Sequence, residues 1–491
     1  MQFVNKMRFR KTAIRTVATS LLGAIIFCLS TIYVPLYFHL ALIVIGFLFI
    51  LSPLIRRYIN LNNFIFLLVL SLILEKYQYY IGFSVRLPMV IISITLIAFS
   101  VRSLLTGKFK IHFSKFHKVI IVIFFFYCLS VLWAIEPVNV IRVCILLLFL
   151  FSLFFITFHL LQSEEGIHQA VRSVIVVGIL GSLYGMYQII AYAFGLPFQL
   201  PFVEMLSHNQ RYYMGLSTFP IGSIAFPRIN STFNDPVLIG AFVGMALMMF
   251  SSLLCYRYRI KPMSIADKIV SLLVFFLLLF TVILTFSRSS WIGLFLGFFT
   301  LGTFVTNNRQ TRMFLFKFSI FSMLFFAAIL AVYPNIFNIV LGRIGQTFDL
   351  SNISTFGHLK WFRAAINAWI ENPILGVGLN NFSEFYAKNY QETNMAMTHS
   401  AFLTFLADGG VIGFSLEVSF ILLILRHLYL AISKAKKMTN TYYYYLLVGL
   451  LSAYIVMLGS NITYYFYTQF YVWFFSGLAV SASTYVLKQN T

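Results

Sequence analysis

Two arginines and one histidine are the residues of this chain best suited to chemistry. Arg228 lies in the turn-rich segment Phe226-Pro-Arg-Ile-Asn-Ser-Thr-Phe-Asn-Asp-Pro236, and Arg288 lies in Thr281-Val-Ile-Leu-Thr-Phe-Ser-Arg-Ser-Ser-Trp291, between two apolar runs. A guanidinium group can donate two parallel hydrogen bonds to a phosphate. His399 opens a later apolar run, and its imidazole can act as a general base near neutral pH. These residue types predict an anion site with a proton acceptor.

Each of the three residues also has a structural alternative. Arg228 can reach lipid headgroups or pair with Asp235. Arg288 can be the basic tip of an ordinary hairpin, although neighbouring serine hydroxyls and the N-terminus of a following helix would add anion affinity. Histidines at a membrane interface are common, so His399 alone does not indicate a function. Its functional interpretation is strengthened here because two arginines also border the membrane.

The composition is that of a polytopic membrane protein. The chain is 60% hydrophobic and only 10% charged, with a mean hydropathy of +0.90, whereas soluble domains average about 25% charged residues. Apolar stretches of the roughly 20 residues needed to cross a bilayer recur from end to end, and they predict an all-α fold with about fourteen (12–14) transmembrane helices. The first is expected to be a retained span and not a signal peptide. The predicted spans are 16–33, 36–54, 61–75, 87–104, 118–135, 141–161, 171–194, 237–255, 268–286, 289–306, 314–333, 398–425, 441–462 and 466–486.

Lysine and arginine predict the orientation of these spans. With both termini cytoplasmic, the inner segments carry most of the 35 basic residues, as the positive-inside rule requires. Arg228, Arg288 and His399 then lie at the outer face, where a cation held between two spans is costly. The net charge of +22 falls in short clusters between apolar runs, so we expect membrane lipids and no nucleic acid as partners.

The predicted spans divide the chain into three blocks of transmembrane helices and two outer-face loops. The blocks are 1–195 (N-terminal), 237–334 (central) and 399–491 (C-terminal), and the loops are 196–236 and 335–398. Loops of this length inside a compact protein are usually functional. The second loop is expected to be partly helical, because residues 357–370 have apolar side chains at three- and four-residue spacing and are followed by Asn372-Pro373.

We expect neither a cofactor nor a metal. The four cysteines lie in or at the ends of apolar segments without metal-ligand spacing, and we expect them to pack as small apolar residues. No paired acidic motif begins an outer loop. Arginines would therefore neutralise a diphosphate leaving group in place of a metal.

Four motifs follow one another across the central and C-terminal parts of the chain. They are Arg228 with Asn234-Asp-Pro236, then Thr285-Phe-Ser-Arg-Ser-Ser-Trp-Ile-Gly-Leu294, then Asn372-Pro-Ile-Leu-Gly-Val-Gly-Leu-Asn-Asn-Phe382, then His399 followed by Gly409-Gly-Val-Ile-Gly413. In order and spacing, over roughly residues 220–425, the set resembles the O-antigen ligase/polymerase superfamily of polytopic bacterial membrane proteins. The N-terminal spans match that superfamily only in being hydrophobic.

The resemblance implies a membrane-embedded glycosyltransferase of the GT-C type. Its donor would be an undecaprenyl-diphosphate-linked glycan, at the outer face of the bacterial cytoplasmic (inner) membrane. Arg228 and Arg288 would bind the diphosphate, and His399 would activate the acceptor hydroxyl. The glycan would transfer with inversion and without a metal. A flippase and a chain-length regulator would be its protein partners.

One position departs from the pattern of the family, in which an arginine often lies near the start of the helix before the Asn-Pro-x-Leu-Gly-Val-Gly element. His358 stands near that place, with Arg363 further along the same predicted helix. The resemblance leaves open which of the two contacts substrate. Arg211, Asn234 and Asp408 are further supporting candidates, and we expect a structural role for Asp408.

The expected function is a repeat-unit polymerase that joins lipid-linked oligosaccharides into a surface polysaccharide of the O-antigen, capsule or teichuronic-acid type. Two alternatives remain open. A ligase that moves finished glycan to lipid A core or to a protein would use the same residues. A flippase for lipid-linked glycans would also be basic and polytopic, but transporters place their binding residues near the bilayer midplane, whereas these candidates cluster at one face.

Overall fold

The structure is a computed structural model that describes residues 61–74, 76–80, 84–106, 113–198, 218–221, 224–260, 263–305, 345, 353–391 and 397–489. The chain divides into two compact units. The larger unit, residues 64–96 and 111–491, contains every contact discussed below. Of the smaller unit, residues 1–63 and 97–110, only 61–63 and 97–106 are described.

The described residues form thirteen α-helices. They are α1 (Leu61–Ile73), α2 (Leu87–Thr106), α3 (Lys115–Leu129), α4 (Pro137–Leu160), α5 (Glu164–Phe194), α6 (Pro236–Ile260), α7 (Ile265–Leu284), α8 (Arg288–Val305), α9 (Ile353–Glu371), α10 (Phe382–Tyr390), α11 (Ala401–Ala435), α12 (Tyr442–Asn461) and α13 (Phe470–Lys488). Nine helices in this part of the chain are long and apolar enough to cross a membrane, and segments of α1 and α2 form two shorter apolar helices. The chain is therefore a multi-pass, mainly α-helical membrane protein.

Eleven of the fourteen predicted spans coincide with these helices. The other three, 16–33, 36–54 and 314–333, lie outside the described residues. The helix observed at the span predicted for 398–425 is longer than predicted, because α11 continues to Ala435. The helix predicted over 357–370 in the second outer loop is confirmed as α9.

Two short β-hairpins interrupt the helical pattern. Strands β1 (Gln78–Tyr80) and β2 (Ser84–Arg86) pair antiparallel, as do β3 (Thr218–Ile221) and β4 (Ile224–Pro227). The prediction of an all-α fold therefore holds for the spans but not for these connections. Strands of three or four residues carry too few positions for an alternating pattern to be recognised.

Close contacts between small residues hold the centre of the helix bundle together. Helices α6, α12 and α13 are its most buried spans. A Cβ atom on Gly240 of α6 would lie 2.4 Å from Ser290 Oγ, and one on Gly293 of α8 would lie 2.4 Å from the Val456 carbonyl oxygen. Small residues allow such close approach between membrane helices. The first turn of α8, which begins with Arg288, is thereby packed against α6.

The segment between α9 and α10 docks onto a break in α11. Gly410 has φ 59° and ψ −161°, a combination open essentially only to glycine. The Val377 N–H donates to the Ala407 carbonyl at 2.9 Å, and the Gly378 N–H donates to the Asp408 carbonyl at 3.0 Å. These bonds hold the connection that follows α9 against α11, the helix that begins two residues after His399.

Candidate active site

The segment that carries Arg228 is fixed to the C-terminus of α7. Arg228 Nε donates a hydrogen bond to the Thr285 carbonyl at 2.8 Å. The neighbouring Ile229 N–H donates to the Leu284 carbonyl at 3.1 Å. Arg228 is therefore held beside the turn that separates α7 from α8, and Arg288 comes directly after that turn.

Arg288 is the first residue of α8, and its turn is strained and heavily bonded. Phe286 has φ 49°, a left-handed conformation that is uncommon for a residue with a side chain. Ser290 Oγ donates to the Val237 carbonyl at 3.2 Å, and Ser289 Oγ accepts from Thr463 Oγ1 at 2.7 Å. The serines next to Arg288 thus fix the start of α8 against α6 and against the α12–α13 connection. The Ser290 N–H donates to Ser287 Oγ at 3.2 Å, and the positive end of the α8 dipole favours an anion nearby.

The charges of Arg228 and Arg288 act on each other. Burial lowers the pKa of Arg228, Asp235 and Tyr464 raise it, and the positive charge of Arg288 lowers it further. Two guanidinium groups that repel each other across a short distance are stabilised by a bound anion. Arg228 and Arg288 therefore lie close enough for their charges to interact.

His399 is enclosed by aromatic rings from two other elements. Its ring centroid lies 4.4 Å from that of His358 and 4.8 Å from the stacked ring of Trp361, both on α9. Tyr464, in the α12–α13 connection, lies 5.9 Å away. His399 itself has φ 48°. Strained backbone of this kind persists where the surrounding structure fixes it, and it is frequent at functional sites.

Burial favours the neutral form of His399. Burial lowers the pKa of His399, and the negative charge of Asp235 opposes that effect. Because the burial effect is the larger, the pKa stays below its usual value of 6.5. At neutral pH the imidazole can therefore accept a proton, as a general base must.

Asp235 interacts with both Arg228 and His399. Its Oδ2 accepts a hydrogen bond from Tyr464 Oη at 3.2 Å, and its Oδ1 accepts from the Val237 N–H at 2.7 Å at the start of α6. The carboxylate acts electrostatically on both Arg228 and His399. Arg228 and His399 therefore share one acid and one tyrosine, and Arg288 lies close enough to Arg228 for their charges to interact.

Sequence reasoning missed most of this shared centre. It treated Asp235 only as an alternative partner of Arg228, and it did not single out Tyr464 or Trp361. The Asp-Pro pair before α6 was a usable signal, because Asp favours helix N-termini. Nothing local distinguishes Tyr464 from the other tyrosines of this chain, because its partner Asp235 is 229 residues away.

The supporting candidates occupy different positions. His358 contacts His399, whereas Arg363 is exposed on α9. Asp408 lies in α11, and Arg211 lies outside the described residues. Asn234 is half-buried, and its Oδ1 is buried without a hydrogen-bond partner among the described residues.

Asp408 serves the docked segment and not the histidine. Its Oδ2 accepts from the Asn380 N–H at 2.8 Å, and its Oδ1 accepts from the Phe382 N–H at 3.1 Å. It therefore fixes the connection between α9 and α10. These contacts agree with the structural role that we expected for Asp408.

Within the part of the chain that the structure describes, no group of three or more His, Cys, Asp or Glu side chains is arranged to hold a metal ion. Cys128 and Cys144 approach each other, with their Sγ atoms 3.3 Å apart, and Cys255 is buried. Cys28 lies outside the described residues.

Comparison with known proteins supports the resemblance seen in the motifs. Residues 273–418 match the family model described as O-antigen ligase. The match includes Arg288, His358 and His399, and it begins after Arg228. It confirms the resemblance of this segment to the O-antigen ligase/polymerase superfamily. No curated protein matches the chain.

Proposed function

We propose that this protein joins undecaprenyl-diphosphate-linked repeat units into a surface polysaccharide at the outer face of the bacterial cytoplasmic membrane. The observation that carries the proposal is that Arg228 and His399 meet at Asp235 and Tyr464, with Arg288 close to Arg228. A family match to O-antigen ligases over residues 273–418 supports the same reaction class. The repeat units would be of the O-antigen, capsule or teichuronic-acid type.

The two arginines would bind the diphosphate of the donor. Each guanidinium group can form paired, charge-assisted hydrogen bonds with phosphate oxygens. Negative charge grows on the diphosphate as it leaves the anomeric carbon, so fixed cations stabilise the transition state more than the bound donor. The mutual repulsion of Arg228 and Arg288 would be relieved at the same time.

His399 would act as the general base. It removes the proton from an acceptor hydroxyl, whose oxygen attacks the anomeric carbon as the bond to the diphosphate breaks. Attack from the face opposite the leaving group inverts the anomeric configuration. The proton remains on the imidazole, and the resulting cation is stabilised by Asp235. Trp361 and His358 would hold the ring in the orientation that attack requires.

A ligase is the second candidate, because the matching family model carries that description. It would use the same donor site and pass finished glycan to lipid A core or to a protein. The two activities differ in the acceptor alone. A flippase is a weaker candidate, since the site lies where helices α6, α8 and α11 begin and not along their middles.

Reconstitution separates these activities. Purified protein in liposomes is supplied with lipid-linked repeat units as both donor and acceptor. A polymerase yields a ladder of lengthening products without any second acceptor. Product that forms only when lipid A core or a protein acceptor is added would make the chain a ligase. Movement of the lipid across the bilayer without any transfer product would refute glycosyl transfer.

Chelation tests the role given to the arginines. If Arg228 and Arg288 neutralise the leaving group, the reconstituted rate is unchanged in excess EDTA, with a metal-dependent glycosyltransferase assayed in parallel as the control. Loss of the rate in EDTA, restored by a divalent cation, would assign that task to a metal.

A further inference from the structure

Lys76 is a buried lysine that binds the turn following Arg228. Only 6% of its surface is exposed. Its Nζ donates to the Ser231 carbonyl at 3.0 Å and to Asn230 Oδ1 at 3.4 Å, while its backbone N–H donates to the Thr232 carbonyl at 3.3 Å. One residue thus makes a hydrogen bond to each member of the Asn230–Thr232 turn.

A second element holds the same turn from α5. The Ser231 N–H donates to Gln188 Oε1 at 2.8 Å, and Gln188 Nε2 donates back to the Ser231 carbonyl at 3.2 Å. Ser231 Oγ donates to the Gly181 carbonyl at 2.8 Å. Ser231 has φ 50°, a conformation that a serine keeps only when its surroundings impose it. The conformation of the turn is therefore imposed by its contacts and not by the intrinsic backbone preference of its residues.

In the sequence, the Asn230–Thr232 turn lies between two charged residues of the candidate site, Arg228 and Asp235. Arg228 is two residues before it, and Asp235 is three residues after it. Ile229 packs tightly on α5, since a Cβ atom on Gly185 would lie 2.5 Å from Ile229 Cγ2. A shift of the turn would consequently move both Arg228 and Asp235.

We propose that Lys76 is a positioning residue for the diphosphate site, one that holds Arg228 in place through the Asn230–Thr232 turn. The assignment rests on the proposed function, because it takes Arg228 to bind a diphosphate. The general reason is that a displacement of about 1 Å in a charged binding group can cost roughly 100-fold in rate.

The test is the equilibrium binding of undecaprenyl diphosphate and of undecaprenol to the purified full chain in detergent. The variants are Lys76→Met, Arg228→Ala and the double substitution. Lys434→Met is the matched control, because Lys434 Nζ also donates to two carbonyls, those of Leu487 and Gln489, at 2.9 and 2.5 Å. Those contacts hold the end of α13, far along the chain from the site.

We expect Lys76→Met to weaken undecaprenyl diphosphate binding by about tenfold or more, the effect of losing one well-placed charged contact, and to leave undecaprenol binding unchanged. In the Arg228→Ala background the same substitution should have no further effect. Lys434→Met should bind both lipids like the wild type.

Three results would overturn the inference. Lys76 is not a positioning residue if Lys76→Met binds the diphosphate like the wild type, or if it weakens the binding of both lipids equally. The same conclusion follows if its loss of affinity multiplies with the loss caused by Arg228→Ala. In each case Arg228→Ala alone still reports on the proposed function, which fails only if that variant binds the diphosphate normally. If Lys76→Met does not fold, Gln188→Leu removes the other side of the turn, and it should weaken the diphosphate selectively.

Discussion

Two opposing effects act on the pKa of His399, and both come from residues that are distant in the sequence. Burial among the rings of His358, Trp361 and Tyr464 lowers its pKa, and Asp235 raises it. Burial is the larger of the two effects, so the pKa of His399 lies below its usual value. Asp235 therefore acts on His399 as well as on Arg228, and in the proposed mechanism it raises the pKa of the base.

This balance predicts the pH profile of kcat/KM. A base acts in its neutral form, so the rate falls as the pH drops through the pKa of His399, which lies below about 6.5. Asp235→Asn removes the charge that raises this pKa, so the acid limb of the profile should move to lower pH. Asp267→Asn is the control, because Asp267 pairs with Arg257 at 3.1 Å elsewhere. A limb that stays in place or moves upward in Asp235→Asn would contradict the assignment.

At the scale of elements, the sequence predicted the helices well and their connections poorly. The spans were predictable because roughly 20 apolar residues are needed to cross a bilayer, a constraint that acts within each segment separately. The β1–β2 and β3–β4 hairpins were missed because their strands are only three or four residues long. The motif Gly409-Gly-Val-Ile-Gly413 was recognised as a family feature, but its physical reason appears only in the docked segment of Asn372–Phe382.

That docking depends on Gly410 and predicts a stability effect. A Cβ atom there would lie 2.4 Å from the Ile374 carbonyl carbon and oxygen, and the backbone conformation excludes other residues. Gly410→Ala should therefore destabilise the protein by about 2 kcal/mol or more, measured as the unfolding temperature in detergent. Gly302→Ala in α8 is the control, since a Cβ atom there meets nothing within 4 Å. Equal melting of the two variants would mean that the docked segment adds no stability.

At the scale of the whole molecule, the site is assembled from five separate stretches of chain. They are the segment before α6, the α7–α8 turn, helix α9, the residue pair before α11 and the α12–α13 connection. Lys76 bonds to Ser231 across 155 positions and Tyr464 to Asp235 across 229. The individual residues Arg228, Arg288 and His399 could be chosen from local pattern, but their neighbours could not, because no local pattern encodes contacts at such separations.

The orientation of this assembly predicts a labelling pattern. In a background without the four cysteines, Lys388→Cys and Lys436→Cys introduce thiols at two exposed lysines, on α10 and just after α11. The positive-inside rule assigns Lys388 to the outer face and Lys436 to the cytoplasm. A membrane-impermeant maleimide should label the first in intact cells and the second only after permeabilisation. The reverse pattern would put the site on the cytoplasmic side.

The central claim is that His399 is the base of a site whose anion-binding residues are Arg228 and Arg288. Its most direct test is the single-turnover rate of glycan transfer in liposomes, for wild type, His399→Ala and His427→Ala. His427 is the matched control, a histidine within α11, the helix that follows His399, and its Nε2 lies 3.0 Å from Thr484 Oγ1.

We predict that His399→Ala lowers the transfer rate by about 100-fold or more, the usual contribution of a general base, while it binds undecaprenyl diphosphate as the wild type does. His427→Ala should transfer glycan at the wild-type rate. A wild-type rate in His399→Ala, with the protein folded and the donor bound, would contradict the account.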